Sequence, residues 1–336
     1  MLHIHNGDSS AGIARNASLP GEHLAWREAL ICGPAPGGLS DDEWRRVRAE
    51  HLNSAYDLAI EECEKDLRRQ EEALARFSEH EEIVLWFEHD LFCQIHLVYL
   101  LNWFAQRELA PTKLSLICIG EFPGVKDFRG LGELSGEQMS SLFGQRHEVT
   151  AAELNLGANA WAAYSSPDPR DIAGILTRDT SALPFLGAAL QKHLARFPSA
   201  RNGLGQIESR ALQFIEGGIT QFGPLFAAFG RAEPLYGLGD AQFMLTLRQL
   251  ATGRMPLSTI TNGDGATVAP QSDSARTSFA LTAKGRSVLR GEDDYVALNG
   301  IETWLGGVNL TAKGPQWRWD EERSQLLSVP PAVAGG

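Results

Sequence analysis

Two apolar runs of strand length constrain the fold of this chain most strongly. Residues 83–87 (IVLWF) and 114–119 (LSLICI) are almost wholly apolar and lack the alternation of a half-exposed strand. Such runs indicate strands that are buried on both faces. A helix-length segment, residues 91–106, lies between them. Strands that alternate with helices predict a Rossmann-like α/β domain with a mainly parallel sheet.

Weaker signals extend this pattern in both directions along the chain. Residues 2–5 and 22–26 predict two shorter strands, and a charged helical region is expected from residue 41 to about residue 80. Helical patterns dominate after residue 150. We therefore expect an α/β domain over 1–145, a helical region over 146–200, a winged-helix-like domain over 201–325 and a disordered tail over 326–336.

The winged-helix prediction for the last domain depends on the order of its elements. Helical patterns at 207–216, 222–229 and 240–251 precede strand patterns at 257–260 and 278–281, with a polar loop between the two strands. Three short helices followed by such a hairpin are typical of a winged helix. A helix over 282–291 and one more hairpin, formed by WLGGVNL and PQWRWD, complete the expected domain.

The charge distribution argues against a protein that holds nucleic acid. The chain has 30 basic and 42 acidic side chains, for a net charge of −12, whereas phosphate backbones are bound by clustered Lys and Arg. Residues 201–336 carry 12 basic and 13 acidic residues. We therefore expect the winged helix to contact a protein partner rather than DNA.

The N-terminus and the hydropathy of the chain bear on its location. MLHIHNGDSSAG lacks the basic start and apolar run of a secretory signal. No stretch approaches the roughly 20 apolar residues of a membrane span. The four cysteines are widely spaced, without a CxxC pair. We expect a cytoplasmic protein without a membrane partner, with the cysteines serving as small buried residues.

Polar residues follow the expected strands where ligands bind in parallel sheets. The carboxyl ends of such strands form a crevice together with loops and helix N-termini. Four carboxylates and a histidine would meet at that edge. The residues in question are Gly7-Asp8-Ser9, Gly33-Pro34, Glu88-His89-Asp90 and Glu121.

Carboxylates clustered with a histidine suit Mg²⁺, Mn²⁺ or Zn²⁺. An acidic residue after the first strand and an acid-x-acid pair after a later one are similar in arrangement to the metal sites of Toprim-type phosphoryl-transfer domains. The expected metal ligands are Asp8, Glu88, His89 and Asp90, and the expected catalytic residues are Asp8, Ser9 and His89. The expected contacts to an anionic small molecule are Gly7, Gly33, Gln94 and Glu121.

Two other interpretations of the first turn remain open. Gly-Asp-Ser after a first strand resembles the opening block of serine esterases, in which the serine is the nucleophile, but His89 and His147 lack the Asp-x-x-His spacing of that class. Asp8 and Ser9 could instead cap the following helix.

The other histidines have simpler expected roles. His3 and His5 alternate on one face of an expected edge strand, where two histidines could form a metal pair that lacks an obvious third ligand. His96 lies in a very apolar helix and is expected to be a core residue. His193 is expected at the surface.

Four segments resemble an uncharacterised bacterial family, domain of unknown function 1835. They are LHIHNGDSSAG, the Gly33-Pro34 step, WFEHDLFCQ and FPSARNGLGQIE. The resemblance implies an N-terminal α/β domain with a Gly-Asp-Ser turn, a helical C-terminal part and a glutamine after the third strand, at Gln94. It implies a fold and a site but no activity.

The residues together favour an enzyme that binds a phosphorylated or otherwise anionic small molecule at the carboxyl edge of the sheet. The expected chemistry is metal-dependent phosphoryl transfer or hydrolysis. The alternative is a non-catalytic regulator, in which the α/β domain senses a ligand and the winged helix contacts DNA or a protein.

Overall fold

The computed structural model describes residues 1–261 and 277–329. The chain divides into two compact units, Met1–Leu190 and Gln191–Gly336. Most of the predicted helical region 146–200 lies in the first unit. Among the described residues, no helix combines the length and the apolar character needed to cross a membrane.

The first unit contains a five-stranded, mostly parallel sheet, as the apolar runs predict. The strands of this unit are β1 (Leu2–His5), β2 (Glu22–Ala25), β3 (Gly33–Pro34), β4 (Glu82–Glu88), β5 (Lys113–Ile119) and β6 (His147–Glu148). The strand order of the sheet is β2-β1-β4-β5-β6, and only β6 runs antiparallel. The short β3 lies outside this sheet.

Helices surround this sheet. The helices that lie wholly in the first unit are α1 (Asp8–Asn16), α2 (Asp41–Tyr56), α3 (Ile60–Ala75), α4 (Leu91–Ala105), α5 (Gly136–Phe143), α6 (Ala151–Tyr164) and α7 (Arg170–Leu176). The predicted charged helical region forms two helices, because the chain turns at Asp57, whose φ is 55°. Helix α8 (Leu186–Leu194) spans the boundary between the units.

The two faces of β4 are both buried. Val84 and Trp86 pack in an apolar cluster with Ala14 of α1 and Met139 of α5, and the alternate residues point to the opposite face. Helix α4, whose apolar residues surround its whole circumference, packs against α6. A Cβ on Gly157 of α6 would lie 2.5 Å from the Cβ of Leu101. Only glycine therefore allows these two helices to approach so closely.

The second unit begins with helices and ends with small antiparallel sheets. Its helices are α9 (Gln206–Glu216), α10 (Phe222–Ala232), α11 (Asp240–Ala251), α12 (Ala283–Arg290) and α13 (Tyr295–Asn299). Its strands are β7 (Ser258–Thr261), β8 (Ser278–Leu281), β9 (Glu302–Gly306), β10 (Val308–Thr311), β11 (Gln316–Asp320) and β12 (Gln325–Val329).

The predicted helices and strands of a winged helix are present, but the architecture is not confirmed as one. Strands β7 and β8 pair antiparallel after α9 to α11. The predicted polar loop falls on residues 262–276, which lie outside the described residues. WLGGVNL forms the β9–β10 hairpin by itself, and PQWRWD pairs with β12 rather than with WLGGVNL. Two hairpins therefore stand where one was predicted.

Three smaller predictions need correction. Strand β1 lies between β2 and β4 rather than at the edge of the sheet. His193 is fully buried rather than at the surface, because it lies on the inner face of an amphipathic helix end. The predicted tail begins too early, because Gln325–Val329 is a strand. Residues 330–336 lie outside the described residues.

Candidate functional site

The candidate site forms where β4 ends and α4 begins. Glu88 is the last residue of β4. Asp90 is the N-cap of α4, and its side chain accepts a 2.9 Å hydrogen bond from the backbone N–H of Cys93. An N-cap side chain satisfies one of the free amides at a helix start and thereby fixes its own position. The strand end and the cap together orient both carboxylates.

Glu88, Asp90 and Cys93 form the one group among the described residues whose ligand atoms have a metal-site arrangement. One carboxylate oxygen from each acid and the Sγ of Cys93 all lie within 4.8 Å of one another, and all three residues are buried. We call these three residues the acid–thiol cluster. The two acidic residues of the predicted pair therefore belong to this group, and Cys93 is its third member.

Hydrogen bonds hold both carboxylate oxygens of Glu88. Oε1 accepts from the backbone N–H of Leu131 at 2.7 Å, and Oε2 accepts from the thiol of Cys93. Leu131 begins a short 3-10 turn, Leu131–Glu133. A Cβ on Gly130 would lie 3.0 Å from Oε1 of Glu88. The segment before this turn therefore lies directly against the carboxylate.

A second chain of hydrogen bonds reaches Cys93 from Leu30 through His96 and Asn6. The backbone N–H of Leu30 donates to Nε2 of His96 at 3.3 Å, which leaves the proton of a neutral imidazole on Nδ1. Nδ1 of His96 then donates to Oδ1 of Asn6 at 2.6 Å, and Nδ2 of Asn6 donates to Sγ of Cys93 at 2.6 Å. His96 is the core residue that the sequence predicts, and it orients Asn6 toward the thiol.

Burial and mutual repulsion disfavour negative charge in the acid–thiol cluster. Burial and the neighbouring Asp90 raise the pKa of Glu88 to about 7. Burial also raises the pKa of Asp90, and burial together with the two carboxylates raises the pKa of the Cys93 thiol well above its usual value. A buried group with a raised pKa is stabilised by a nearby positive charge. Without such a charge, burial favours the protonated forms of these three groups.

Gln94, which is expected to contact the ligand, follows Cys93 of the cluster and contacts the protein itself. Its Nε2 donates to the carbonyl of Glu88 at 2.7 Å and contacts Sγ of Cys118 at 3.3 Å. Gln94 thus ties the end of β4 to β5. These contacts hold the strand end that carries the carboxylate.

The side chains of Asp8 and Ser9 have partners outside the acid–thiol cluster. Nε and Nη2 of Arg27 each lie 2.7 Å from an oxygen of Asp8, and both side chains are more than half exposed. Ser9 is exposed and donates to the carbonyl of Gly132 at 3.4 Å. Among the hydrogen bonds of the described residues, none joins Ser9 to a histidine.

The helix-cap interpretation of Asp8 and Ser9 is wrong. Gly7, with φ 115°, is the N-cap of α1, and no side chain of the described residues caps this helix. The chain leaves β1 through Asn6 and enters α1 one residue earlier than a side-chain cap at Asp8 requires. The first amides of α1 are therefore left without a capping side chain.

The remaining predicted residues lie around this edge with other neighbours. His89 is half-buried between the rings of Phe128 and Phe185, and its Nδ1 has no hydrogen-bond partner among the described residues. Glu121 is exposed just beyond β5. Gly33 packs on His51 of α2, where a Cβ would lie 2.3 Å from the imidazole ring.

Sequence reasoning missed Cys93, Asn6 and the amide of Leu131. Cys93 follows Asp90 by three residues, the spacing at which the backbone N–H of a helix bonds to an N-cap side chain. Asn6 ends the first predicted strand, at the same sheet edge as Glu88. These two signals were present in the sequence. The approach of Leu131 depends on an irregular segment and left no signal.

Comparison of the chain with protein-family models finds no match. Comparison with curated proteins finds no match either.

Proposed function

We propose that this chain is a cytoplasmic metal-dependent enzyme that acts on a phosphorylated or otherwise anionic small molecule. The observation that carries the proposal is the close approach of ligand atoms from Glu88, Asp90 and Cys93 within 4.8 Å. The metal would be held by these three residues at the carboxyl edge of the sheet. Hydrolysis or transfer of a phosphoryl group is the chemistry that such a site serves best.

The donor set favours Zn²⁺ over Mg²⁺ and Mn²⁺. Thiolate ligands select borderline and soft metals, whereas Mg²⁺ prefers oxygen alone. A bound divalent cation deprotonates a coordinating thiol. It would also stabilise the ionised form of Glu88, whose pKa burial raises. Because these groups bind a metal only in their deprotonated forms, zinc binding would release protons.

The number of ligands favours a catalytic rather than a structural metal. Structural zinc sites use four protein ligands, whereas catalytic sites use three and leave the fourth position to water or substrate. The acid–thiol cluster supplies three residues. A metal held there would polarise a phosphoryl oxygen or activate a water molecule at the open position.

The start of α1 supports the choice of an anionic substrate. Helix N-termini bind anions through free amides and the helix dipole, and no side chain of the described residues caps α1. Asn6, which contacts Cys93, immediately precedes its N-cap Gly7. An anion on these amides would therefore lie beside the metal. Arg27 pairs with Asp8, which reduces the repulsion that this carboxylate exerts on an anion.

His89 and the segment around Leu131 would complete the site. The partnerless Nδ1 of His89 lies on the residue between the two acidic ligands, a suitable position for proton transfer. Because the cluster is buried, a substrate reaches it only when the segment that donates the Leu131 amide to Glu88 moves aside.

The first experiment measures metal binding by chelator-treated protein with isothermal titration calorimetry. We expect wild-type protein to bind one Zn²⁺ per chain and Glu88→Gln to bind it at least about tenfold more weakly, because a charged ligand is lost. Glu81→Gln is the matched control, since Glu81 is exposed and immediately precedes the opposite end of the same strand. The absence of Zn²⁺ binding by wild-type protein would refute the proposed metal site.

The second experiment tests catalysis with p-nitrophenyl phosphate as a generic phosphomonoester. Zinc-loaded wild-type protein is expected to release p-nitrophenol, and Glu88→Gln and His89→Gln are expected to release it at least about a hundredfold more slowly. Equal rates for wild type and Glu88→Gln would exclude hydrolysis at this site.

We also propose that the chain is a member of domain of unknown function 1835 and that its second unit contains a winged helix. The order of α9, α10 and α11 and the antiparallel β7–β8 pair support the winged-helix interpretation. In the enzyme that we propose, this part of the chain contacts a protein partner rather than DNA. In the alternative, a regulator without catalysis, the same part would report ligand binding.

A further inference from the structure

The second unit contains a cavity of about 490 Å³ that is independent of the acid–thiol cluster. Its lining comes from α9, the end of α11 and residues around α13 and β10. Cavities of about 300 to 1,000 Å³ are the size in which proteins bind small molecules.

Two oppositely charged side chains line this cavity, and each has one buried atom that lacks a hydrogen-bond partner. These atoms are Oε2 of Glu208 and Nη1 of Arg196, and neither has a hydrogen-bond partner among the described residues. The charge of Arg196 acts on Glu208, but the described ion pairs do not include one between them. A buried polar atom without a hydrogen-bond partner is costly. Such atoms are expected where a ligand completes the contacts.

Two glycines of the cavity lining, Gly205 and Gly203, lie close against neighbouring groups. Gly205 is the N-cap of α9, and a Cβ there would lie 2.6 Å from Oε2 of Glu208 and 2.6 Å from the carbonyl of Arg196. Gly203, with φ 74°, also lines the cavity, and a Cβ there would lie 2.8 Å from Oδ1 of Asp294. Any side chain at either glycine would force a neighbouring group to move.

The rest of the cavity wall is part apolar and part polar. Its apolar side chains include Pro198, Leu250, Val296, Ile301 and Leu310. Its other polar side chains include Gln249, Thr252, Asn299, Glu302 and Thr303. A ligand with a cationic donor, an anionic acceptor and an apolar body would match the two charged groups and the apolar part of the wall.

We propose that this cavity binds a free α-amino acid with an apolar or aromatic side chain. The ammonium group donates to Glu208, the carboxylate accepts from Arg196, and the side chain packs against the apolar wall. Guanidinium and ammonium groups form charge-assisted hydrogen bonds with carboxylates. Such hydrogen bonds are roughly twice as strong as those between neutral groups. This inference does not depend on the proposed metal enzyme.

The experiment titrates the full chain with L-leucine, L-methionine and L-phenylalanine by calorimetry and by thermal unfolding. We expect at least one of them to bind and to raise the midpoint of unfolding. Leucinamide, methioninamide and phenylalaninamide lack the carboxylate, and the N-acetyl amino acids lack the ammonium group. Each is expected to bind at least about tenfold more weakly than its parent amino acid, because one charge-assisted hydrogen bond is lost.

Substitutions assign the binding to the two charged groups. Glu208→Gln and Arg196→Gln are each expected to weaken binding at least about tenfold. Glu216→Gln, at the exposed end of the same helix, and Arg231→Gln, at the exposed end of α10, are matched controls that should bind like wild type.

Two results would overturn the proposal. One is the absence of binding by wild type for all three amino acids at about 10 mM. The other is equal binding of an amino acid and of its amide and N-acetyl derivatives. Because these comparisons use wild-type protein, they decide the question even if Glu208→Gln fails to fold.

Discussion

Cys93 donates a hydrogen bond from its thiol to Oε2 of Glu88, although both side chains are buried. The thiol is therefore held against a carboxylate whose pKa burial raises to about 7. Asn6 donates to the same sulfur. This arrangement holds a soft ligand and a hard ligand next to each other.

The identity of the bound metal should depend on Cys93. We expect Cys93→Ser to weaken Zn²⁺ binding at least about tenfold and to leave Mn²⁺ binding within about threefold, because a hydroxyl is a harder ligand than a thiolate. Competition with a zinc-chelating dye measures both. Cys63→Ser, at a buried cysteine of α3, is the control. Equal zinc affinity in Cys93→Ser and wild type would remove the thiol from the site.

Asp8 is expected to contribute little to either metal binding or stability. Its exposed ion pair with Arg27 is of the kind that contributes about 0.2 to 1 kcal/mol. Asp8→Asn should therefore lower the free energy of unfolding by less than about 1 kcal/mol and leave Zn²⁺ affinity unchanged. Urea denaturation and calorimetry measure these two quantities. A tenfold loss of zinc affinity would show that Asp8 reaches the metal.

Buried histidines should make the protein sensitive to mild acid. Burial lowers the pKa of His3 and His51 to about 4, of His96 to about 3 and of His5 to about 2. In the unfolded chain histidines titrate near 6.5. As the pH falls from about 6.5 to 4, the unfolded chain takes up protons that the folded chain does not. The free energy of unfolding should therefore decrease by about 1.4 kcal/mol per pH unit for each histidine.

Denaturant unfolding at pH 7.5, 6.0 and 5.0 measures this dependence. His5→Asn should reduce the slope by about 1.4 kcal/mol per pH unit between pH 6.0 and 5.0, since one titrating group is removed. A free energy of unfolding that stays constant from pH 7.5 to 5.0 would contradict the burial of these imidazoles.

The contact between α4 and α6 should tolerate no added methyl group. In Gly157→Ala the new Cβ would lie 2.5 Å from the Cβ of Leu101, and overpacking of this kind costs about 1 to 3 kcal/mol. Gly174→Ala in α7 is the matched control, because nothing lies within 4 Å of its added Cβ. It should be neutral or stabilising by up to about 1 kcal/mol. Thermal unfolding distinguishes them, and equal midpoints would contradict the close helix approach.

The parallel sheet was predictable because its central strands are apolar on both faces. IVLWF and LSLICI became β4 and β5, and the acidic pair after β4 lies where strand-end reasoning places it. The edge or interior position of β1 was not predictable, because strand order depends on crossover connections rather than on local periodicity. The burial of His3 and His5 follows from that order.

The side-chain partners at the site were harder to predict than its location. Asp8 follows β1 at the same edge, yet it pairs with Arg27, which lies 19 residues later just beyond β2. The wide spacing of the cysteines predicts that Cys93 is a small buried residue, whereas its actual neighbours are the carboxylates of Glu88 and Asp90. The covering amide of Leu131 comes from a segment without periodicity. Long-range contacts of this kind are set by tertiary packing.

X-ray absorption spectroscopy of zinc-loaded protein tests the central claim most directly. We expect one zinc per chain with a single sulfur ligand at about 2.3 Å and oxygen ligands at about 2.0 to 2.2 Å, and we expect the sulfur signal to disappear in Cys93→Ser. A spectrum with nitrogen and oxygen ligands only, or with the same sulfur signal in Cys93→Ser, would contradict a metal site formed by Glu88, Asp90 and Cys93.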